Sequence, residues 1–229
     1  DAPGLLARAA RAAAPAHLVA GALFYARDAA GERAWSNSLL VATPDGEIVA
    51  RYDKRHLVPF GEYLPGRVLL ERLGLEAIAG MAGAGMVPGS GPRRVEAAGI
   101  APFAPAICYE MIFPAEVVGP GPRPRWIAHL TNDSWFGAFA GPQQHLAQAR
   151  MRAIEQGLPV ARAAQTGISA LIDADGRVRA TVALDTAGRI DAALPPARPA
   201  TPYARTGDVP ALAALALLLA ALALLRRRA

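Results

Sequence analysis

The feature that most limits how this chain can fold is an uncharged apolar stretch near its C-terminus. From Val209 to Leu225 the sequence is VPALAALALLLAALALL, and Arg226, Arg227 and Arg228 follow directly. A helix of about 17 residues extends roughly 25 Å, the short end of what spans a bilayer. A buried core helix is the alternative, but a segment that is apolar on every side and ends in arginines favours a transmembrane helix.

The arginines also predict an orientation. Positive residues flank membrane spans on the cytoplasmic side, so residues 226–229 are expected to form a basic cytoplasmic tail. The rest of the chain then lies on the opposite side of the membrane. The formal charge of +5 at pH 7 is mostly due to this tail, and the chain has no basic run interleaved with aromatic residues. The charge pattern therefore gives no support to a nucleic-acid partner.

Ahead of the span, β-compatible apolar runs alternate with helical segments, which is typical of an α/β domain. Strands are predicted within 17–25, 36–43, 48–54, 94–110, 125–132 and 160–184, and helices over 4–14, 67–78 and 141–159. Turn sequences at 44–48 and 175–176 join neighbouring strands as hairpins, so the sheets are expected to be mixed rather than purely parallel.

Composition also divides the chain into regions. Residues 1–194 are expected to form one catalytic domain, in which a glycine-rich connector covers 80–92. A proline-rich linker at 195–208 leads to the transmembrane helix at 209–225. The domain as given is expected to be truncated at its N-terminus, because the chain begins with Asp1 rather than Met.

Two residue types occur once each, and both are candidates for chemistry. Lys54 is the only lysine among 24 Lys and Arg residues, and Cys108 is the only cysteine. The lysine ammonium is a compact charge whose pKa can be shifted by burial, whereas an arginine guanidinium stays charged. Lys54 is therefore interpreted as a position where arginine does not suffice. The alternative is that this one lysine was retained by chance. Cys108 ends an apolar strand, where backbone N–H groups can face a nucleophile. A catalytic thiol needs a neighbouring base or cation, and Lys54 is the natural one.

The four histidines are not spaced as metal ligands, either with one another or with the cysteine. They are His17, His56, His129 and His145. Each is interpreted as a surface or core residue, and none stands in an obvious pairing position with Cys108. No metal, no cofactor and no Cys-His dyad are therefore predicted.

Five segments in order resemble the apolipoprotein N-acyltransferases, a membrane family of the nitrilase, or carbon-nitrogen hydrolase, superfamily. They are YDKRHLVPFGEYLP (52–65), ICYE (107–110), TNDSWFG (131–137), QQHLAQARMRAIEQGLPVARAAQTGIS (143–169) and YARTGDVPAL (203–212). One such segment is weak evidence, whereas five spread over most of the chain are specific. The resemblance implies an αββα sandwich with mixed sheets, followed by one C-terminal transmembrane helix.

The resemblance also implies a Glu-Lys-Cys triad in which Lys54 is the lysine and Cys108 the nucleophile. Glu62 and Glu110 match supporting acidic residues, and either one orients Lys54 or is a hydrogen-bonded structural carboxylate. Tyr109 matches the residue whose backbone and ring flank the nucleophile. No carboxylate in the sequence matches the triad glutamate, which the resemblance places upstream of this chain.

The implied activity moves an acyl chain from a phospholipid to the diacylglyceryl-cysteine of an apolipoprotein through a cysteine thioester. Because both substrates are anchored in a bilayer, the implied location is the bacterial inner membrane, with the domain on the periplasmic side. Trp135, Phe136 and Phe139 lie in SWFGAFAGP (134–142). They are predicted to form a mobile, membrane-facing substrate loop, with ordinary core packing as the alternative.

Two other functions remain open at this point. One is a nitrilase-type amidase that hydrolyses C–N bonds and uses water as the acceptor, although the terminal span and the LVPFGEYLP segment (57–65) argue against it. The other is a catalytically inactive, membrane-anchored domain, which the unmatched glutamate favours. Retention of both Lys54 and Cys108 argues for an enzyme.

Overall fold

The computed structural model describes residues 2–66, 73, 85–90 and 94–226 of the 229-residue chain. The helix predicted over 67–78, apart from residue 73, lies outside the described residues, as do much of the connector over 80–92 and the tail after Arg226.

Strands and helices alternate in the order that the sequence predicts. The strands are β1 (Leu18–Arg27), β2 (Arg33–Ala42), β3 (Ile48–Asp53), β4 (Val95–Ala97), β5 (Ile100–Ile107), β6 (Trp126–Thr131), β7 (Val160–Ala164), β8 (Ser169–Ile172) and β9 (Val178–Val182). The α-helices are α1 (Ala2–Ala13), α2 (Gly141–Gln156), α3 (Pro202–Thr206) and α4 (Val209–Arg226), and 3₁₀ turns cover Cys108–Ile112 and Asp133–Phe136. Helix α3 lies inside the segment predicted as a linker.

The strands form two sheets, and the larger one is mixed, as predicted. Strands β1, β2 and β3 make an antiparallel sheet in which Leu39 pairs with Tyr52. The second sheet has the order β4 to β9, with β5, β6 and β7 parallel and the outer pairs antiparallel. Because β5, β6 and β7 run in the same direction, the segments that follow them meet at one edge of the sheet.

The two sheets pack face to face, and helices cover their outer faces. The core between the sheets includes Leu39, Val41, Tyr52, Phe103, Ile107 and Ala128. A second core joins α2, through Ala149 and Ala153, to the outer face of the larger sheet. Helix α1 lies against β1 and β2. These layers confirm the αββα sandwich, and each large apolar side chain buried in it contributes about 1.5–3 kcal/mol.

Helix α2 has the ends that its sequence specifies. Pro142 lies in its first turn, and Gly157 follows its last residue in the left-handed conformation, with φ of 61°. Only glycine adopts this conformation without strain, so the helix ends at Gln156 rather than at residue 159 as predicted.

Helix α4 is long and apolar enough to cross a membrane, with a mean hydropathy of 2.3. None of its residues is buried against the remainder of the described chain. A helix that is apolar on all sides and packs on nothing exposes a large hydrophobic surface to water, which is unfavourable unless lipid or protein covers it.

Candidate active site

Cys108 lies at the edge of the sheet where β5 ends and a 3₁₀ turn begins. Its backbone φ is +49°, a conformation that residues other than glycine rarely adopt. Holding a non-glycine residue there costs about 1–3 kcal/mol, so the surrounding contacts must impose it. The thiol is half-buried and forms no disulfide.

Glu110 joins the segment that carries Cys108 to the segment that carries Lys54. One carboxylate oxygen accepts from the backbone N–H of Ile107 at 2.8 Å. The other accepts from the N–H groups of Arg55 at 2.8 Å and His56 at 3.2 Å, and from the Tyr52 hydroxyl at 2.7 Å. The residue before Cys108 and the residue after Lys54 therefore bind one buried carboxylate.

Lys54 is buried, with 1% of its surface exposed, and its ammonium contacts Glu62. Both oxygens of Glu62 lie 2.7 Å from Nζ, and one of them also accepts from the N–H of Val58 at 2.7 Å. The two glutamates that the sequence left equivalent thus occupy different places. Glu62 contacts Lys54 itself, whereas Glu110 binds backbone N–H groups and a hydroxyl.

Tyr109 follows Cys108 in the chain and lies within a small group of rings. Its ring meets those of His56 and Phe113 edge to face, at centroid distances of 5.7 and 5.1 Å. His56 and Phe113 are stacked at 3.6 Å. Since His56 follows the Lys54 segment, these rings add a second contact between the two segments.

A buried polar cluster that the sequence analysis did not identify lies behind Cys108. His145 Nε2 is 3.2 Å from the carbonyl oxygen of Cys108, and its Nδ1 is 2.8 Å from Asp133 Oδ1. Arg162 donates to Asp133 Oδ2 at 2.5 Å and to His129 Nδ1 at 2.9 Å. These four side chains are buried and come from α2, β6, β7 and the turn after β6.

The charges in this cluster are set by burial and by neighbours. Burial, then the positive charges of Arg162 and His145, hold the pKa of His129 well below its ordinary value. Burial acts to raise the pKa of Asp133, but the His145 hydrogen bond and the Arg162 charge outweigh it and hold the pKa below its ordinary value. Asp133 is therefore ionised and His129 neutral at pH 7.

One face of helix α2 carries the polar side chains that hold the turn after Cys108. Arg152 donates to the carbonyl of Ile112 at 3.1 Å, and Gln156 donates to that of Pro114 at 3.3 Å. His145, which contacts the Cys108 carbonyl, lies seven positions before Arg152, and Arg152 lies four positions before Gln156. Residues at these spacings lie on one side of a helix. That spacing of polar residues among buried alanines was the available sequence signal.

The predicted substrate loop is exposed, which is contrary to ordinary core packing. Exposure is 69% for Trp135, 45% for Phe136 and 93% for Phe139. A Cβ added to Gly61 would lie 3.2 Å from the indole of Trp135, so the loop touches the segment that carries Glu62. Phe136 meets His145 edge to face at 5.5 Å.

Among the residues that the structure describes, no group of three or more His, Cys, Asp or Glu side chains is arranged to hold a metal ion. A cavity of about 510 Å³ lies between β1 and the larger sheet and is lined mainly by apolar residues such as Val19, Leu130 and Ala161. Cys108, Lys54 and Glu62 do not line it.

Comparison with known proteins identifies the family. The carbon-nitrogen hydrolase family profile matches residues 3–201. The chain is 54% identical over 186 residues to an apolipoprotein N-acyltransferase of Bradyrhizobium diazoefficiens, covering 80% of this chain and 34% of that protein. It is 48% identical over 192 residues to the one from Rhodopseudomonas palustris, covering 84% and 35%. The chain thus spans about a third of the length of these curated relatives.

Solved structures share the fold. An amidase variant from Nesterenkonia sp. AN1, with acrylamide added at its active-site cysteine, superimposes with a TM-score of 0.52 at 20% identity, covering 80% of this chain and 65% of that one. A carbon-nitrogen hydrolase from Helicobacter pylori G27 gives 0.53 at 16% identity, covering 80% and 62%. At these identities the likeness extends to the fold alone.

Proposed function

This chain belongs to the carbon-nitrogen hydrolase family, and from that premise we propose that it carries the cysteine nucleophile of an apolipoprotein N-acyltransferase. The observation that carries the proposal is the Glu110 carboxylate, which binds the N–H groups of both Ile107 and Arg55. It draws the Cys108 turn to the segment that holds the buried Lys54–Glu62 ion pair. Identity of 54% and 48% to proteins named for this activity supports the acyltransferase over other members of the family.

In the first half of the reaction the thiolate of Cys108 attacks the carbonyl carbon of a phospholipid acyl ester. The bond from that carbon to the glycerol oxygen breaks, and the leaving oxygen takes up the proton that a general base accepted when the thiolate formed, which gives a thioester and a lysophospholipid. In the second half the α-amine of a diacylglyceryl-cysteine attacks the thioester carbon. The C–S bond breaks, the amine gives its proton to the same base, and the thiolate is restored.

Lys54 stabilises the oxyanion that forms in each half. An ammonium has three N–H groups; Glu62 accepts two, and no other described residue accepts from Nζ. The third is available to the oxyanion, where one well-placed donor is worth about 10²–10³ in rate. Glu62 orients the ammonium, and Tyr109 borders the space in front of the thiol.

The proposed location is the bacterial inner membrane, with the domain on the periplasmic side. The exposed apolar helix α4 supports a tether, and the arginines that follow it favour the cytoplasmic side. The exposed Trp135, Phe136 and Phe139 form the proposed substrate loop and lie where an acyl chain could approach the Cys108 turn. Both proposed substrates, phospholipid and apolipoprotein, would be presented at the same surface.

The test uses the complete protein that contains this chain, mixed with a phospholipid bearing a labelled acyl chain. We expect mass spectrometry to find a hydroxylamine-sensitive acyl adduct on the Cys108 peptide, and the label to move to a diacylglyceryl-cysteine peptide when that is added. Cys108→Ser should form no thioester. Hydrolysis of small amides without acyl transfer would instead assign the protein to the amidases.

A further inference from the structure

His145 lies directly behind the nucleophile and contacts two oxygen atoms. Its Nδ1 is 2.8 Å from a carboxylate oxygen of Asp133, and its Nε2 is 3.2 Å from the carbonyl oxygen of Cys108. The side chain is buried, with 4% of its surface exposed. Bulk water therefore does not offer either ring nitrogen an alternative partner.

The two nearest polar partners of the His145 ring, the oxygens at 2.8 and 3.2 Å, can only accept hydrogen bonds. A backbone carbonyl has no proton, and the Asp133 carboxylate is ionised because it binds Arg162 and accepts from the Thr131 hydroxyl. A neutral imidazole has one N–H and one lone pair, so in one of the two contacts the lone pair would face an oxygen. Only the imidazolium, with a proton on each nitrogen, satisfies both contacts.

The charges of Arg162 and Asp133 around His145 cancel, so the cluster is net positive when His145 itself is protonated. From β7, Arg162 Nη2 lies 3.5 Å from Nδ1, beyond ordinary hydrogen-bond length, so the carboxylate oxygen at 2.8 Å is the partner of that nitrogen. From β6, the His129 ring lies 5.0 Å away, and it is neutral because its Nδ1 accepts from Arg162. Asp133 carries the one negative charge, so an imidazolium at His145 makes two cations and one anion behind Cys108.

We propose that His145 is a positioning residue for Cys108, in which a buried imidazolium holds the carbonyl of the strained turn and favours the thiolate form of the adjacent thiol. The φ of +49° at Cys108 needs a partner that holds the peptide in place, and the His145 N–H does so from a helix. An opposite charge within about 4–6 Å favours the charged form of a titrating group, and His145 Nε2 lies 3.2 Å from the carbonyl oxygen of the residue that carries the thiol. The inference rests on the proposed function only in taking Cys108 as the nucleophile.

The experiment measures how fast iodoacetamide alkylates Cys108 in the complete protein between pH 5 and pH 10, by mass spectrometry of the peptide that contains it. His145→Gln keeps one N–H donor and removes the charge. We expect its alkylation rate at pH 7 to fall about tenfold and its half-maximal rate to move about one pH unit upward. Asp133→Asn, which removes the carboxylate that holds the Nδ1 proton, should shift the profile in the same direction.

His17→Gln is the matched control, because it makes the same chemical change far from the thiol. His17 lies against Gly99, which precedes β5, whereas Cys108 follows the other end of this strand. Eight strand residues separate them by about 25 Å. We expect its alkylation profile to match that of the unmodified protein.

A purely structural role for His145 would slow alkylation at every pH or lower the denaturation temperature without moving the midpoint. An unmoved midpoint in His145→Gln, or in Asp133→Asn if the first variant does not fold, therefore overturns the proposal. If neither variant folds, ¹⁵N NMR of the unmodified protein decides. Two N–H-type ring nitrogens on His145 at pH 8 support the imidazolium, and one N–H and one unprotonated nitrogen exclude it.

The alkylation assay needs neither an acyl donor nor an acceptor. Absence of acyl transfer with a shifted alkylation profile would reject the proposed function and leave the role of His145 intact. Normal thioester formation with an unmoved alkylation profile would support the proposed function and reject the role of His145.

Discussion

The Tyr52 hydroxyl donates a 2.7 Å hydrogen bond to Glu110, which lies 58 positions further along the chain. Tyr52 is on β3, two residues before Lys54, and Glu110 is two residues after Cys108. This bond and the backbone N–H groups on the same carboxylate fix the separation of the two segments. Glu110 thus sets the positions of Lys54 and Cys108 relative to each other. It does not contact the ammonium and, in our proposal, it does not contact the substrate.

Glu110→Gln should therefore cost both stability and activity. The amide nitrogen that replaces one oxygen must face N–H donors, so at least one buried donor loses its acceptor, at about 1–3 kcal/mol, and more because the lost acceptor was charged. We expect a lower urea midpoint and slower thioester formation. Glu47→Gln, at an exposed position between β2 and β3, is the control and should change neither. Unchanged stability in Glu110→Gln would contradict the bridging role.

Lys54→Arg should nearly abolish thioester formation although it keeps the charge. The site encloses the ammonium and the two oxygens of Glu62, and a guanidinium is larger and planar. We expect a loss of about 10²-fold or more in the single-turnover rate and about 1–3 kcal/mol in stability from overpacking. Arg51→Lys, an exposed exchange of the same two residue types on β3, should leave the rate within about twofold. Near-normal turnover in Lys54→Arg would remove this residue from the mechanism.

Phe139→Ser should weaken the use of phospholipid without changing the thiol. This ring is 93% exposed, and its transfer into lipid is worth about 1.5–3 kcal/mol. We expect KM for phospholipid vesicles to rise about tenfold while the alkylation rate of Cys108 stays constant. Leu23→Ser, an exposed apolar position on β1, is the control. Equal KM values for the two variants would reject the substrate-loop assignment.

Stability should fall as the pH drops from 7 to 5 because of His129. Its pKa is held well below the ordinary value by burial and by the charges of Arg162 and His145, so the folded protein keeps it neutral. In the unfolded chain this histidine is protonated below about pH 6.5, so the unfolded state binds more protons than the folded state. The free energy of unfolding therefore falls by up to about 1.4 kcal/mol per pH unit.

His129→Gln removes this contribution while its side-chain oxygen can still accept from Arg162. Its denaturation midpoint should thus change less between pH 7 and pH 5 than that of the unmodified protein. His17→Gln should keep the original dependence. The carboxyl of Asp133, whose pKa is lowered, adds its own loss only below about pH 4, outside this window. Identical slopes in the two variants would show that His129 is not held neutral.

Gly167→Ala should destabilise the cluster behind Cys108. A Cβ at this position would overlap a carboxylate oxygen of Asp133 and lie 2.6 Å from its Cγ. Asp133 cannot move aside, because Arg162 and His145 hold it. We expect a loss of about 1–3 kcal/mol in urea denaturation. Gly21→Ala, whose Cβ would meet nothing closer than 3.9 Å, is the control and should be near neutral; equal effects would show that the approach to Asp133 is not tight.

Much of the fold could be predicted because it depends on local patterns. Apolar runs of strand length predicted β1, β2, β3 and β6 to within a few residues, and the other five described strands lie inside the predicted ranges 94–110 and 160–184. Pro142 and Gly157 marked the ends of α2. The segment from Val209 to Leu225 was predicted to be helical from its composition, and α4 covers it. Strand β1 extends to Arg27, two residues past its prediction, because it pairs with β2 throughout.

The sequence by itself determined the alternation of strands and helices, the apolar C-terminal helix, and the two residues, Lys54 and Cys108, that occur once each. Only the tertiary structure decided what Glu62 and Glu110 contact, and that Asp133, His145 and Arg162 form one cluster behind the thiol. The physical reason is that periodicity shows which face of an element a residue occupies. The partner on the opposing face depends on which strand ends meet, and here the order β5, β6, β7 brings together residues such as Cys108 and His145, which are 37 positions apart.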